Sequence, residues 1–89
     1  MNFVSVSQTA IDETAGLARF YQLTEKLSKT RRVKFVSKND DADNIDWNFR
    51  YRGHKLTLQY SIYNGVSLFS NETSGAKLVD MLASNLMQA

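Results

Sequence analysis

Between Ile45 and Ser70 the chain alternates apolar and polar residues with a period of two, and this alternation constrains the fold more than any other feature. From Ile45 to Tyr51 the odd positions are Ile45, Trp47, Phe49 and Tyr51, and the even ones are Asp46, Asn48 and Arg50. Successive side chains of a strand point to opposite faces, so this segment has one dry face and one wet face. After Gly53 the alternation resumes in the other phase, with Leu56, Leu58, Tyr60 and Ile62 set against Lys55, Thr57, Gln59 and Ser61. An antiparallel hairpin brings the two apolar sets to the same side.

The turns set the register. A Gly53-His54 loop puts glycine, which tolerates positive φ, first in a type II′ turn and pairs Tyr51 with Leu56, Phe49 with Leu58, Trp47 with Tyr60 and Ile45 with Ile62. An Arg52-Gly53 loop slides the register by two and leaves the faces unchanged. For the second turn, a two-residue Asn64-Gly65 loop would turn Val66 and Leu68 to the polar face. A three-residue loop with a left-handed Gly65 keeps them on the apolar face and pairs Ile62 with Val66 and Tyr60 with Leu68. The second arrangement is the expected one.

The segment WNFRYRGHKLTLQYSIYNGVSLF, Trp47 to Phe69, resembles the core of a family of small bacterial proteins in which an aromatic strand precedes a G-x-K-L-T-L-x-Y-x-I-Y-x-G-V-S-x-F pattern. The resemblance implies a shared fold. It implies no activity and no site.

Before this segment, Ala10 to Lys29 lacks proline and spaces Gly16, Phe20, Leu23 and Leu27 along one helical face. Thr9 is the candidate N-cap, with Asp12 and Glu13 in the first turn. Gly16 inside a helix costs about 1 kcal/mol relative to alanine, so a start near Gly16 is the alternative. Val33 to Lys38 reads as a strand with Phe35 on its dry face, and Asn39 to Asn44 as a polar loop. Ser74 is the candidate cap of a last helix, Gly75 to Met87, with Leu78, Val79, Leu82 and Leu86 as its apolar stripe. Residues 2–7 are a candidate fifth strand.

Counting dry surfaces gives the fold class. Four antiparallel strands in a meander, each apolar on one face, and two amphipathic helices make an α+β two-layer sandwich with both helices on one side, in the order (β)αββββα. The frataxin-like fold has a comparable order of helix, meander and helix, which bears on architecture and not on function. From the strands the core is expected to take Phe35, Trp47, Phe49, Leu56, Leu58, Tyr60, Ile62 and Leu68. With 89 residues, 43% of them hydrophobic and 22% charged, the chain is a single ordinary domain, 1–89.

Several function classes fall away. The absence of cysteine removes disulfides, thiol catalysis and cysteine-ligated zinc. The one histidine, His54, sits in a predicted turn without a neighbouring nucleophile. Asp40, Asp41, Asp43 and Asp46 cluster, but the twelfth position from Asp41 is Arg52, where a calcium loop needs glutamate. Glycines are scattered, so no phosphate loop is present. No enzyme activity, cofactor or metal is expected. No apolar run is long enough for a membrane span and the start lacks a signal peptide, so a cytoplasmic protein is expected; the resemblance implies a bacterial one.

Two surfaces remain. Strands 33–38 and 66–70 are the expected sheet edges; the second has no charge and offers Tyr63, Val66 and Phe69 to a protein partner or to a second copy of the chain. The wet sheet face is expected to present Lys34, Lys38, Arg50, Arg52 and Lys55, a basic surface suited to nucleic acid but interrupted by Asp46 and Asn48. The first is the main expectation and the second its alternative.

Overall fold

The structure is a computed structural model that describes residues 7–12, 16–41, 43–63, 65–70 and 75–87. In chain order it contains β1 (Ser7–Asp12), α1 (Leu17–Ser28), β2 (Val33–Asp40), β3 (Asn44–Tyr51), β4 (His54–Ser61), β5 (Gly65–Ser70) and α2 (Ala76–Met87). The fold is the expected α+β sandwich: β2 to β5 form an antiparallel meander and β1 adds to its far side, giving the order β1-β5-β4-β3-β2. None of the described helices is long and apolar enough to cross a membrane.

Both helices bury the same pattern. In α1 it is Phe20, Leu23, Thr24 and Leu27, and in α2 Val79, Leu82, Ala83 and Leu86, each set spaced i, i+3, i+4, i+7 along one face. These stripes roof the sheet: α2 lies over β1 and β5, and α1 over β4 and β2. Beneath them Ile45, Phe49, Tyr51, Leu56, Leu58, Val66 and Leu68 complete the core, with Trp47, Tyr60 and Leu78 half-buried against it. Lys26 Nζ ties the helices together by donating to the Asn85 carbonyl at 3.1 Å.

The faces are as expected and the registers are not. Tyr51 pairs with His54, Phe49 with Leu56, Trp47 with Leu58 and Ile45 with Tyr60, so the first turn is Arg52-Gly53. Both turn residues have positive φ, 53° at Arg52 and 84° at Gly53, which is the type I′ geometry that matches strand twist. In the second hairpin Ser61 pairs with Gly65, Tyr60 with Val66 and Leu58 with Leu68. The connection is therefore the three residues 62–64, followed by a left-handed Gly65 (φ 72°). Val66 and Leu68 stay on the dry face, but Ile62 falls in the turn and is 54% exposed.

Three further expectations are corrected. The stretch holding Thr9 and Asp12 is strand β1, and α1 starts after Gly16, whose extended backbone (φ −92°, ψ −177°) caps it without a side-chain bond. Glu13, Ser74 and residues 2–6 of the candidate strand lie outside the described residues. Strand β5 is not an edge, because Thr9 stands opposite Leu68 and Ser7 opposite Ser70. Phe35 is not core: β2 is the edge strand, and Phe35 is 56% exposed against Trp47, ring centroids 5.3 Å apart.

At the start of α2, Gly75 touches the sheet. A Cβ there would collide with the buried Ser70 hydroxyl and come within 3.0 Å of Ser70 Cβ. Ser70 would have to turn away from the Lys55 carbonyl to which it donates at 3.4 Å. We expect Gly75→Ala to lower unfolding free energy by about 1–3 kcal/mol in denaturant titration. Gly16→Ser, at a site with no atom within 4 Å of the added Cβ, should leave stability unchanged or raise it by a few tenths of a kcal/mol.

Candidate anion-binding site

The wet face of the sheet is layered. Across β2, β3 and β4 the first row is Lys34, Arg50 and Lys55, each directly opposite the next. The second row is neutral and hydrogen-bonded: Thr57 Oγ1 donates to Asn48 Oδ1 at 2.7 Å, and Asn48 Nδ2 donates to Ser37 Oγ at 3.2 Å. In the third, Gln59 Nε2 donates to Asp46 Oδ1 at 2.8 Å. Like charges set directly opposite one another destabilise a sheet by up to about 1 kcal/mol per pair. Nothing in the apolar core requires three cations in a line.

The same corner gathers two more. Arg32 precedes β2 and Arg52 lies in the β3–β4 turn, and the Arg52 N–H donates to the Arg32 carbonyl at 3.2 Å. These two arginines are the described non-glycine residues with positive φ, 67° and 53°. A left-handed backbone costs an ordinary residue roughly 1 kcal/mol or more. Arg32, Lys34, Arg50 and Arg52, with Gly53 between their walls, line a concavity of about 330 Å³. Arg52 also covers the Tyr51 ring at 5.5 Å from its centroid.

Lysines on an exposed strand are the usual protection of a sheet edge, and Lys34 on β2 fits that role. It does not account for the rest. Arg50 lies on the interior strand β3, and Arg32 and Arg52 adopt backbone conformations that glycine or asparagine would hold more easily. Among the described residues, none of Arg32, Lys34, Arg50 and Arg52 forms an ion pair, whereas Lys29 pairs with Glu25 on α1, 3.2 Å apart. Asp46, expected to interrupt the basic surface, is four residues along β3 from Arg50, roughly 13 Å away. That exceeds the screening length of about 8 Å at physiological salt, so its charge leaves the row nearly intact.

Lys38 departs from the expected set. Val36 is bulged between Phe35 and Ser37, so parity flips after it, and Lys38 pairs with Trp47 on the helix side. There its ammonium donates to the Tyr21 hydroxyl at 3.3 Å and lies 5.1 Å from the ring centroid. Arg32, which sequence reasoning left out, takes its place. The only signal for it was a run of cations at the end of a helix, which the helix dipole also explains. The residues expected to meet a partner do not form one surface: Val66 is fully buried, Phe69 is half-buried beside Thr57 on the wet face, and Tyr63 is 76% exposed in the turn.

Beside the basic row, Val36, Ser37, Asn48, Lys55 and Thr57 border a second hollow of about 240 Å³. It sets hydroxyl and amide groups next to cations, so an anion on the row would have uncharged parts within reach of hydrogen bonds. No group of three or more histidine, aspartate or glutamate side chains able to hold a metal ion occurs among the described residues. Comparison with protein-family models, with curated proteins and with solved structures gives no match to this chain.

Proposed function

We propose that the chain is a non-enzymatic binding module whose basic corner holds the phosphate backbone of a nucleic acid. The observation that carries this reading is the Arg32–Arg52 backbone bond between two left-handed arginines, beside the row Lys34, Arg50, Lys55. Guanidinium groups match phosphate geometry with two donors each, and several in one concavity suit a repeating anion better than a single carboxylate. The neutral row of Ser37, Asn48 and Thr57 next to them offers contacts to sugar or base edges. Protein association through β5 loses its support, since β1 occupies that edge and Val66 has no exposed surface.

Binding of a short labelled single-stranded oligonucleotide, followed by fluorescence anisotropy, tests the reading. With four or five cations engaged, the logarithm of the association constant should fall with the logarithm of salt concentration at a slope of about −3. Arg32→Ala combined with Arg52→Asn should reduce that slope to about −1.5. No binding at low ionic strength, or a slope near zero, contradicts it. Arg52→Asn alone separates function from folding. Asn-Gly is the preferred type I′ pair, so thermal unfolding should show stability equal to the parent or higher by up to about 1 kcal/mol, while oligonucleotide affinity falls several-fold.

A further inference from the structure

At the end of the sheet away from the arginines, Leu17 and Tyr21 of α1, Ile45 of β3, Tyr60 of β4 and Ile62 of the second turn surround a cleft of about 310 Å³. Leu17 and Tyr21 are each 43% exposed, and Ile62 more so. Single exposed apolar residues are ordinary on a protein surface, but three around one concavity form a patch that a partner can cover. The mouth is acidic: Asp40, Asp41 and Asp43 also line the cleft, and none of them forms an ion pair among the described residues.

The walls are fixed by main-chain bonds. Asp41 N–H donates to the Asn44 carbonyl at 2.7 Å, closing the β2–β3 turn, and Ile62 N–H donates to the Asp43 carbonyl at 3.1 Å. The second bond locks the acidic turn to the apolar one. Tyr21 is held from behind by the Phe20 ring, centroids 5.5 Å apart, and from the side by Lys38. A preformed cleft of this kind binds with little ordering cost.

We infer that this cleft binds a basic amphipathic segment of a partner protein, seating one or two apolar side chains between Leu17, Tyr21 and Ile62 while flanking lysines or arginines meet Asp40, Asp41 and Asp43. Its size is at the lower limit for a small-molecule pocket and suits a side-chain anchor. Its charge excludes the phosphate backbone proposed for the other end and favours cations. A second copy of the chain is a poorer occupant. The concavity between Arg32 and Arg52 is lined by cations and a glycine, with no apolar side chain to fill the cleft.

The probe is a blocked synthetic peptide alternating arginine with leucine and phenylalanine, with a charge-reversed control carrying aspartate in place of arginine. Amide shifts in heteronuclear NMR should concentrate at Leu17, Tyr21, residues 43–45 and Ile62, leaving Arg32 and Arg52 unmoved. The control should shift none of them. Asp41→Asn with Asp43→Asn keeps the main-chain bonds and should weaken the peptide about 5- to 10-fold. Ile62→Ser, at an exposed site, should weaken it comparably. Absent shifts at millimolar peptide, shifts elsewhere, or equal binding of the control overturns the inference. So do the same shifts on raising protein concentration without peptide, which assign the cleft to a second copy. The readout does not involve nucleic acid and stands or falls separately from the basic corner.

Discussion

Residues directly opposite one another on neighbouring strands must share a face, and everything distinctive in this protein depends on that constraint. It places Phe49 over Leu56 and Trp47 over Leu58, which gives the helices a continuous apolar floor. The same pairing, one residue along, places Arg50 against Lys55 and Lys34 against Arg50. Core and basic row are two sides of one register. Burial of the large apolar side chains, each worth about 2 kcal/mol or more, outweighs the repulsion of the cations behind them, at most about 1 kcal/mol per pair. The favourable dry face therefore holds an unfavourable wet one in place.

Strand direction then sorts charge along the sheet. β2 begins beside Arg32 and ends at Asp40, and β3 returns from the acidic turn to Arg50 and Arg52. A net charge of +2 thus conceals two ends of opposite sign. The Lys34–Arg50 pair and the Asp40–Ile45 pair are five positions apart on β3, roughly 17 Å. Over that distance mobile ions screen most of the mutual attraction, so each end presents its own potential to solvent. A small domain gains two chemically distinct surfaces this way without a second core.

The faces were legible in the sequence because a shift of two residues preserves them. Both turns were expected in a register two positions from the real one, yet every strand from β3 to β5 shows the expected side to the helices. Residues at the margins were less legible. The bulge at Val36 has no propensity signature, and it alone moves Lys38 from the wet face to Tyr21. The true position of β5 had a trace in its composition: Val66, Ser67 and Leu68 are all buried, and an uncharged run is as natural for an interior strand as for a sticky edge. Serine and threonine around Thr9 read equally as a helix cap or as strand, and pairing with β5 decided between them. The basic site was half-visible; Lys34, Arg50, Arg52 and Lys55 were named but Arg32 was not, and the left-handed Arg32 and Arg52 bring its corner together.

The register of the first hairpin makes the basic row, so cross-strand α-proton contacts measured by NMR test the account most directly. With Arg52-Gly53 as the loop, Arg50–Lys55 and Asn48–Thr57 are the non-hydrogen-bonded pairs, whose α-protons approach closely. Strong contacts within those two pairs are predicted. Strong contacts between Tyr51 and Leu56 and between Phe49 and Leu58 instead would place Arg50 opposite Thr57, dissolve the row and contradict the site built on it.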